Sequence, residues 1–141
     1  MKRKEFIVTC GLCVIGMPAL LTSCAGTKYL AAPIEGDSLV VPLQSFVSEK
    51  DGKPLKYIVA HNDQLEYPIC VYRFSENDYK ALLMKCTHQG TELQVFGDRL
   101  QCPAHGSEFT NTGSVQNGPA DTPLRTFNVS VLPESIKIKL S

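Results

Sequence analysis

From Ser38 onward the apolar residues come in short runs broken by turn residues, and no stretch repeats them at the spacing of a long amphipathic helix. Ser38 to Leu43, Leu55 to His61 and Tyr67 to Phe74 are predicted strands, with Asp51-Gly52 and Asn62-Asp63 as the turns between them. Ser75 to Asp78 is a further polar turn, and Tyr79 to Lys85 then runs straight into Cys86. Near the end Phe127, Val129 and Val131 alternate with polar residues, as do Ile136, Ile138 and Leu140. With Pro133-Glu134-Ser135 between them, the two runs predict a closing hairpin. The aromatics Tyr57, Tyr67, Tyr72 and Phe74 are expected to pack within the strands. The pattern as a whole predicts one all-β domain over residues 38–141, an antiparallel sandwich or barrel.

The first residues follow a different rule. Lys2, Arg3 and Lys4 give a positive start, and Phe6 to Leu21 is apolar apart from Thr9. A spanning helix needs ~20 apolar residues, and this run is shorter and broken by Gly11, Gly16 and Pro18. Its layout is that of a secretory signal. It closes on Leu21-Thr22-Ser23-Cys24, which resembles the lipobox of bacterial lipoproteins. That resemblance implies a signal peptide over 1–23, lipidation of Cys24 and a membrane anchor on the periplasmic or cell-surface side. An uncleaved anchor is the alternative. Arg3-Lys4-Glu5-Phe6-Ile7 also resembles a weakened twin-arginine signal, a route that exports folded proteins. Residues 24–37, with Pro33 and Gly36 and little periodicity, read as a linker.

Charge narrows the function classes. Lys plus Arg and Asp plus Glu balance at 14 each, with no block of one sign, which disfavours a nucleic-acid partner. The six cysteines do not form a disulfide framework. Cys10 and Cys13 lie in the apolar leader and Cys24 ends it, while Cys86 and Cys102 each stand beside a histidine. Cys70, in an apolar strand, is expected to be an inert buried thiol. His61 reads as a surface residue.

The chemistry is concentrated in Cys86-Thr87-His88-Gln89-Gly90 and Cys102-Pro103-Ala104-His105-Gly106-Ser107. Each segment offers a thiolate and an imidazole, and the glycines after both histidines let the backbone turn sharply around a bulky ligand. Thirteen residues separate His88 from Cys102, enough for a strand, a turn at Gly97-Asp98 and a returning strand. Two loops on adjacent strands can then close a four-donor metal site. A structural zinc site uses the same donors, although zinc fingers pair Cys with Cys and His with His in their local loops.

The pattern Cys-x-His, a spacer, then Cys-x-x-His-Gly-Ser resembles the Rieske family of 2Fe-2S proteins, from about Tyr79 to Phe127. Gly113 and Gly118-Pro119-Ala120, similar to the proline loop that covers the cluster, belong to the resemblance. It implies a Rieske-type β-sandwich with two cluster-binding loops and one 2Fe-2S cluster. Cys86 and Cys102 would hold the buried iron, His88 and His105 the outer one, and Ser107 would donate to a bridging sulfide. Two ferric ions, two sulfides and two thiolates make a neutral oxidised centre, which accepts an electron more readily than a four-cysteine centre. Centres of this class span roughly −150 to +300 mV. The second ring nitrogen of each histidine can release a proton when the iron is oxidised, so the potential is expected to fall as pH rises into the alkaline range. High-potential members carry two extra bridging cysteines, whose places Thr91 and Ala104 take here, and a tyrosine where Phe109 stands. Fewer donors near the sulfurs imply a potential in the middle or lower part of the range.

The expected function is that of an extracytoplasmic carrier of single electrons between redox partners, a quinol or a cytochrome among them. There is no nucleotide-binding glycine fingerprint for oxidising a nicotinamide. An oxygenase iron site needs two further histidines and a carboxylate, and only His61 remains. The alternatives are a redox-sensing or structural metal-binding lipoprotein, with zinc or a cluster, and the ferredoxin component of an oxygenase.

Overall fold

The computed structural model describes residues 26–141. The leader, Cys10, Cys13 and the expected lipidation site Cys24 lie outside the described residues. Among the described residues, thirteen strands are arranged in three sheets. The central sheet runs β1 (Tyr29–Ala31), β4 (Tyr57–His61), β5 (Ile69–Ser75), β6 (Asp78–Leu83) and β11 (Thr126–Phe127). A second sheet has the order β12 (Val129–Val131), β13 (Ser135–Lys139), β3 (Ser38–Pro42), β2 (Ile34–Glu35). A third has the order β10 (Val115–Asn117), β9 (Glu108–Thr110), β8 (Arg99–Gln101), β7 (Gln94–Phe96). All pairings are antiparallel except β1 with β4. Among the described residues no helix is long and apolar enough to cross a membrane.

The period of two along β5 explains the architecture. Ile69 and Val71 point into a core shared with Leu39, Val41, Ile136 and Ile138 of the second sheet. Cys70 and Tyr72, from the alternate positions, point into a second core with Leu100, Phe109, Cys86 and Cys102. β4 divides in the same way, Ile58 and Ala60 against Val59. A strand covered on both faces needs apolar residues at every position, which is why Ile69 to Tyr72 reads as an unbroken apolar run. The central sheet is thus a wall between a base core and a core beneath the Cys-His loops.

The expected hairpins form. Val129 and Val131 pair with Ile138 and Ile136 across the Pro133-Glu134 turn. Phe96 pairs with Arg99 around Gly97-Asp98, with Gly97 at φ 61°, and glycine first suits a two-residue hairpin loop. Three expectations need correction. Residues 24–37 are not linker throughout, because β1 and β2 fall within them and Ala32 is buried in the base core. Their backbone groups are taken up by distant strands, Leu30 pairing with Ala60 and Ile34 with Leu39. Phe127 is not in the closing hairpin but pairs with Ala81 at the edge of the central sheet. Phe74 lies beyond the buried part of β5 and is exposed. Leu43 begins a short 3-10 turn, Leu43–Phe46, that brings Phe46 edge-on to Tyr79 with ring centroids 5.1 Å apart.

Candidate metal centre

Cys86 follows β6 and Cys102 follows β8, so each expected ligand pair leaves the end of a strand. The two loops share one backbone frame. In the first, Cys86 N–H donates to the Thr91 carbonyl at 2.8 Å, and Gly90 N–H donates back to the Cys86 carbonyl at 2.8 Å. In the second, Cys102 N–H donates to the Ser107 carbonyl at 2.8 Å, and Gly106 N–H to the Cys102 carbonyl at 3.0 Å. Gly90 and Gly106 sit at φ 75° and 77°, a left-handed conformation strained for any residue with a Cβ. The glycine four residues past each cysteine is therefore a requirement of the frame. What differs is the imidazole, two residues past the cysteine in the first loop and three in the second.

The frame sorts the donors by depth. Cys86 and Cys102 are each 1% exposed, and both are free thiols. His88 and His105 are exposed, with ring centroids 5.0 Å apart and planes at 81°. Among the described residues no three His, Cys, Asp or Glu side chains gather around one ion. The four donors stand instead as an inner sulfur pair and an outer imidazole pair, which could hold a two-iron core with one pair on each iron. The residues present fit such a group.

Electrostatics distinguish the Cys102 sulfur from an ordinary core thiol. Burial raises the Cys102 thiol, but hydrogen bonds from the His105 and Ala104 amides, with the Cys86 and Thr91 side chains, bring it below its usual value overall. The thiolate is the form that ligates metal. At Cys70 burial pushes the thiol far up, and a hydrogen bond with Tyr72 offsets this only in part. Cys70 is thus the inert thiol expected of it, and His61, at the end of β4, is exposed as expected.

Three side chains brace the loops. Ser107, fully buried, accepts the Ala120 N–H on its Oγ at 3.0 Å. Its hydroxyl proton remains free for a sulfur acceptor, and the bond ties the second loop to the Gly118-Pro119-Ala120 cover. Thr87 Oγ1 donates to the Thr122 carbonyl at 2.6 Å, tying the first loop to the same covering segment. Tyr67, expected only to pack, donates from its hydroxyl to the Gly90 carbonyl at 2.7 Å. Nothing local in the sequence marks that contact, which joins residues 23 apart. At the positions of the absent bridging cysteines, the Thr91 side chain faces the Cys102 sulfur and Ala104 is exposed. Phe109 is fully buried in the core beneath the loops.

Residues 40–128 match the Rieske 2Fe-2S domain family. The chain is 40% identical over 114 residues to "Cytochrome b6-f complex iron-sulfur subunit 3" of Nostoc sp. strain PCC 7120, an alignment covering 79% of this chain and 53% of that protein. It is 38% identical over 131 residues to "Cytochrome b6-f complex iron-sulfur subunit 1" of Synechocystis sp. strain PCC 6803, covering 89% and 58%. The chain thus spans about half the length of these curated relatives. Among solved structures, the cyanobacterial plasma membrane Rieske protein PetC3 from Synechocystis PCC 6803 superposes with a TM-score of 0.52 at 28% identity, covering 60% of this chain and 86% of that one. Shared loop frame, buried sulfurs and sequence likeness over most of the domain lead to one conclusion: the chain belongs to the Rieske 2Fe-2S family and takes one 2Fe-2S cluster.

Proposed function

We propose that Cys86 and Cys102 ligate the inner iron and His88 and His105 the outer one, and that the chain carries single electrons between redox partners outside the cytoplasm. The observation that carries this reading is the sorting by depth: both sulfurs are 1% exposed while both imidazoles reach the surface. A 2Fe-2S centre bound there supplies reversible one-electron chemistry. The chain's own residues do the rest. The loop frame and the cover over Ser107 and Ala120 keep water from the sulfurs. Ser107 and Thr91 offer hydroxyls on the sulfur side, which favours added negative charge. The exposed imidazole edges are where a partner can approach.

The names of the relatives, iron-sulfur subunits of a cytochrome b6-f complex, support a cytochrome or a quinol as partner. The leader ending at Cys24 supports lipid anchorage on the periplasmic or cell-surface side. The test is to express the full chain with its leader and measure iron, sulfide and visible absorbance. Two irons and two sulfides per chain, a reddish colour and reoxidation by a cytochrome after reduction are expected. Colourless protein with one zinc per chain would overturn the ligand assignment. Fatty-acid labelling that survives Cys24→Ala would overturn the anchor.

A further inference from the structure

Five large apolar residues are exposed among the described residues: Tyr29, Phe74, Phe96, Val131 and Leu132. All but Tyr29 sit at or beside chain reversals, positions that polar residues and glycine ordinarily hold. Phe74 lies near the end of β5, Phe96 at the tip of the β7–β8 hairpin, and Val131 and Leu132 enter the β12–β13 turn. These reversals adjoin one another. One hollow of about 380 Å3 joins Leu132 and Pro133 to Arg73 and Asn77, and a second of the same size joins Arg73 and Phe74 to Gly97. Single apolar residues on a surface need no explanation, whereas a contiguous group marks a contact.

This end is opposite the Cys-His loops. β6 starts at the turn that follows Phe74, and Cys86 comes after its other end. The β7–β8 hairpin likewise has its tip at Gly97-Asp98 and Cys102 beyond its far end. The chain also enters here. Thr27 Oγ1 shares a hydrogen bond of 3.2 Å with the Tyr57 hydroxyl at the start of β4. Tyr57 packs on Tyr72 with ring centroids 5.5 Å apart, and the Tyr72 hydroxyl donates to the Gly97 carbonyl at 3.0 Å. The first described residues are thus pinned beside the hairpin tip. Cys24 precedes Gly26 by two residues, at most about 7 Å of extended chain.

Charge does not select what covers this end, because Lys56 and Arg73 line the two hollows together with Asp98 and Glu76. What remains is apolar surface held within a short tether of the residue proposed to carry lipid. We propose that this end rests on the bilayer that holds the anchor, with Phe74, Phe96 and Leu132 seated among the lipid headgroups. The inference rests on lipidation of Cys24 and adds an orientation: the domain stands with its loops away from the membrane, so a partner meets the imidazoles from the aqueous side. Aromatic side chains settle at the headgroup level, and apolar faces of surface-bound proteins sink roughly 5–10 Å into that boundary.

The chain has no tryptophan, so a single introduced indole reports its own surroundings. The probe is the lipidated, cluster-loaded full chain in phosphatidylcholine vesicles whose acyl chains carry bromine, a quencher that acts at contact. Phe74→Trp and Leu132→Trp are each expected to lose emission in brominated vesicles against plain ones. The loss should persist at about 0.5 M salt, where charge is screened. Gln64→Trp, exposed in the β4–β5 connection at the loop end, is expected to lose none. Visible absorbance checks that each variant is folded around its centre, and either reporter serves should the other disturb folding. Vesicle-bound chain with no quenching at residues 74 and 132, or with equal quenching at residue 64, overturns the bilayer contact and leaves the anchor intact. A blue shift that grows with protein density without bromine quenching assigns this end to a second copy and likewise overturns the contact. A chain that fails to float with the vesicles overturns the anchor, and the contact with it.

Discussion

The two Cys-His loops are alike in backbone and unlike in their surroundings. Each has a cysteine N–H bonded to the carbonyl five residues on and a left-handed glycine bonded back to the cysteine carbonyl. The first is secured from outside, by exposed Thr87 and half-buried Tyr67. The second is secured from inside, by fully buried Ser107 and the Ala120 amide. The contrast separates what the metal requires from what the fold supplies. In the proposed centre the frame serves ligation, whereas the braces set how firmly, and in what polarity, each loop is held.

The largest expected effect leaves the loops indistinguishable. Cys86→Ser and Cys102→Ser should each abolish visible absorbance and bring bound iron close to zero, since under the proposed assignment each removes a ligand from the same inner iron. A variant retaining the centre would show that one loop alone can hold it.

The braces should then part them. Ser107→Ala strands a buried N–H and is expected to cost about 1–3 kcal/mol, measured by urea unfolding of the loaded protein. Thr87→Val, at an exposed position, should stay within about 0.5 kcal/mol. Equal losses would erase the distinction between inner and outer bracing. Phe109→Tyr adds a hydroxyl in the core beneath both loops. A new hydrogen bond to a charged group, at about 1.5 kcal/mol, corresponds to roughly 60 mV for one electron, so voltammetry should show an upward shift of that size. The smallest expected contrast is at the glycines. Gly90→Ala and Gly106→Ala should each lose about 1 kcal/mol to backbone strain, although an added Cβ meets Lys85 Cε at 3.4 Å in the first loop and nothing within 4 Å in the second. A large excess at Gly90 would show that crowding against Lys85 outweighs the shared strain.

The candidate site was legible in the sequence because its chemistry is local. A cysteine, a histidine and a glycine within five or six residues are visible without any fold, as are the two-residue turn at Gly97-Asp98 and the alternation of Ile136, Ile138 and Leu140. The all-β class followed from the same short-range periodicity. The braces were not legible, since Tyr67 to Gly90 and Thr87 to Thr122 are contacts between segments 23 and 35 residues apart. Nor were β1 and β2. Three- and two-residue strands around Pro33 carry too little periodicity to register, and they exist because β4 and β3 offer free edges to pair with. The double coverage of β5 showed only as an apolar run, and such a run does not say which residues face which side.

That shared wall has a thermodynamic corollary. Ile69 and Cys70 are neighbours in the chain yet belong to opposite cores, so neither half can loosen without deforming the strand that supports the other. Calorimetry on the loaded protein should record one endotherm, with iron release and melting of the base at the same temperature. A void opened on the side remote from the metal, as by Ile69→Ala, should then shorten the lifetime of the red colour on heating even though it touches no ligand.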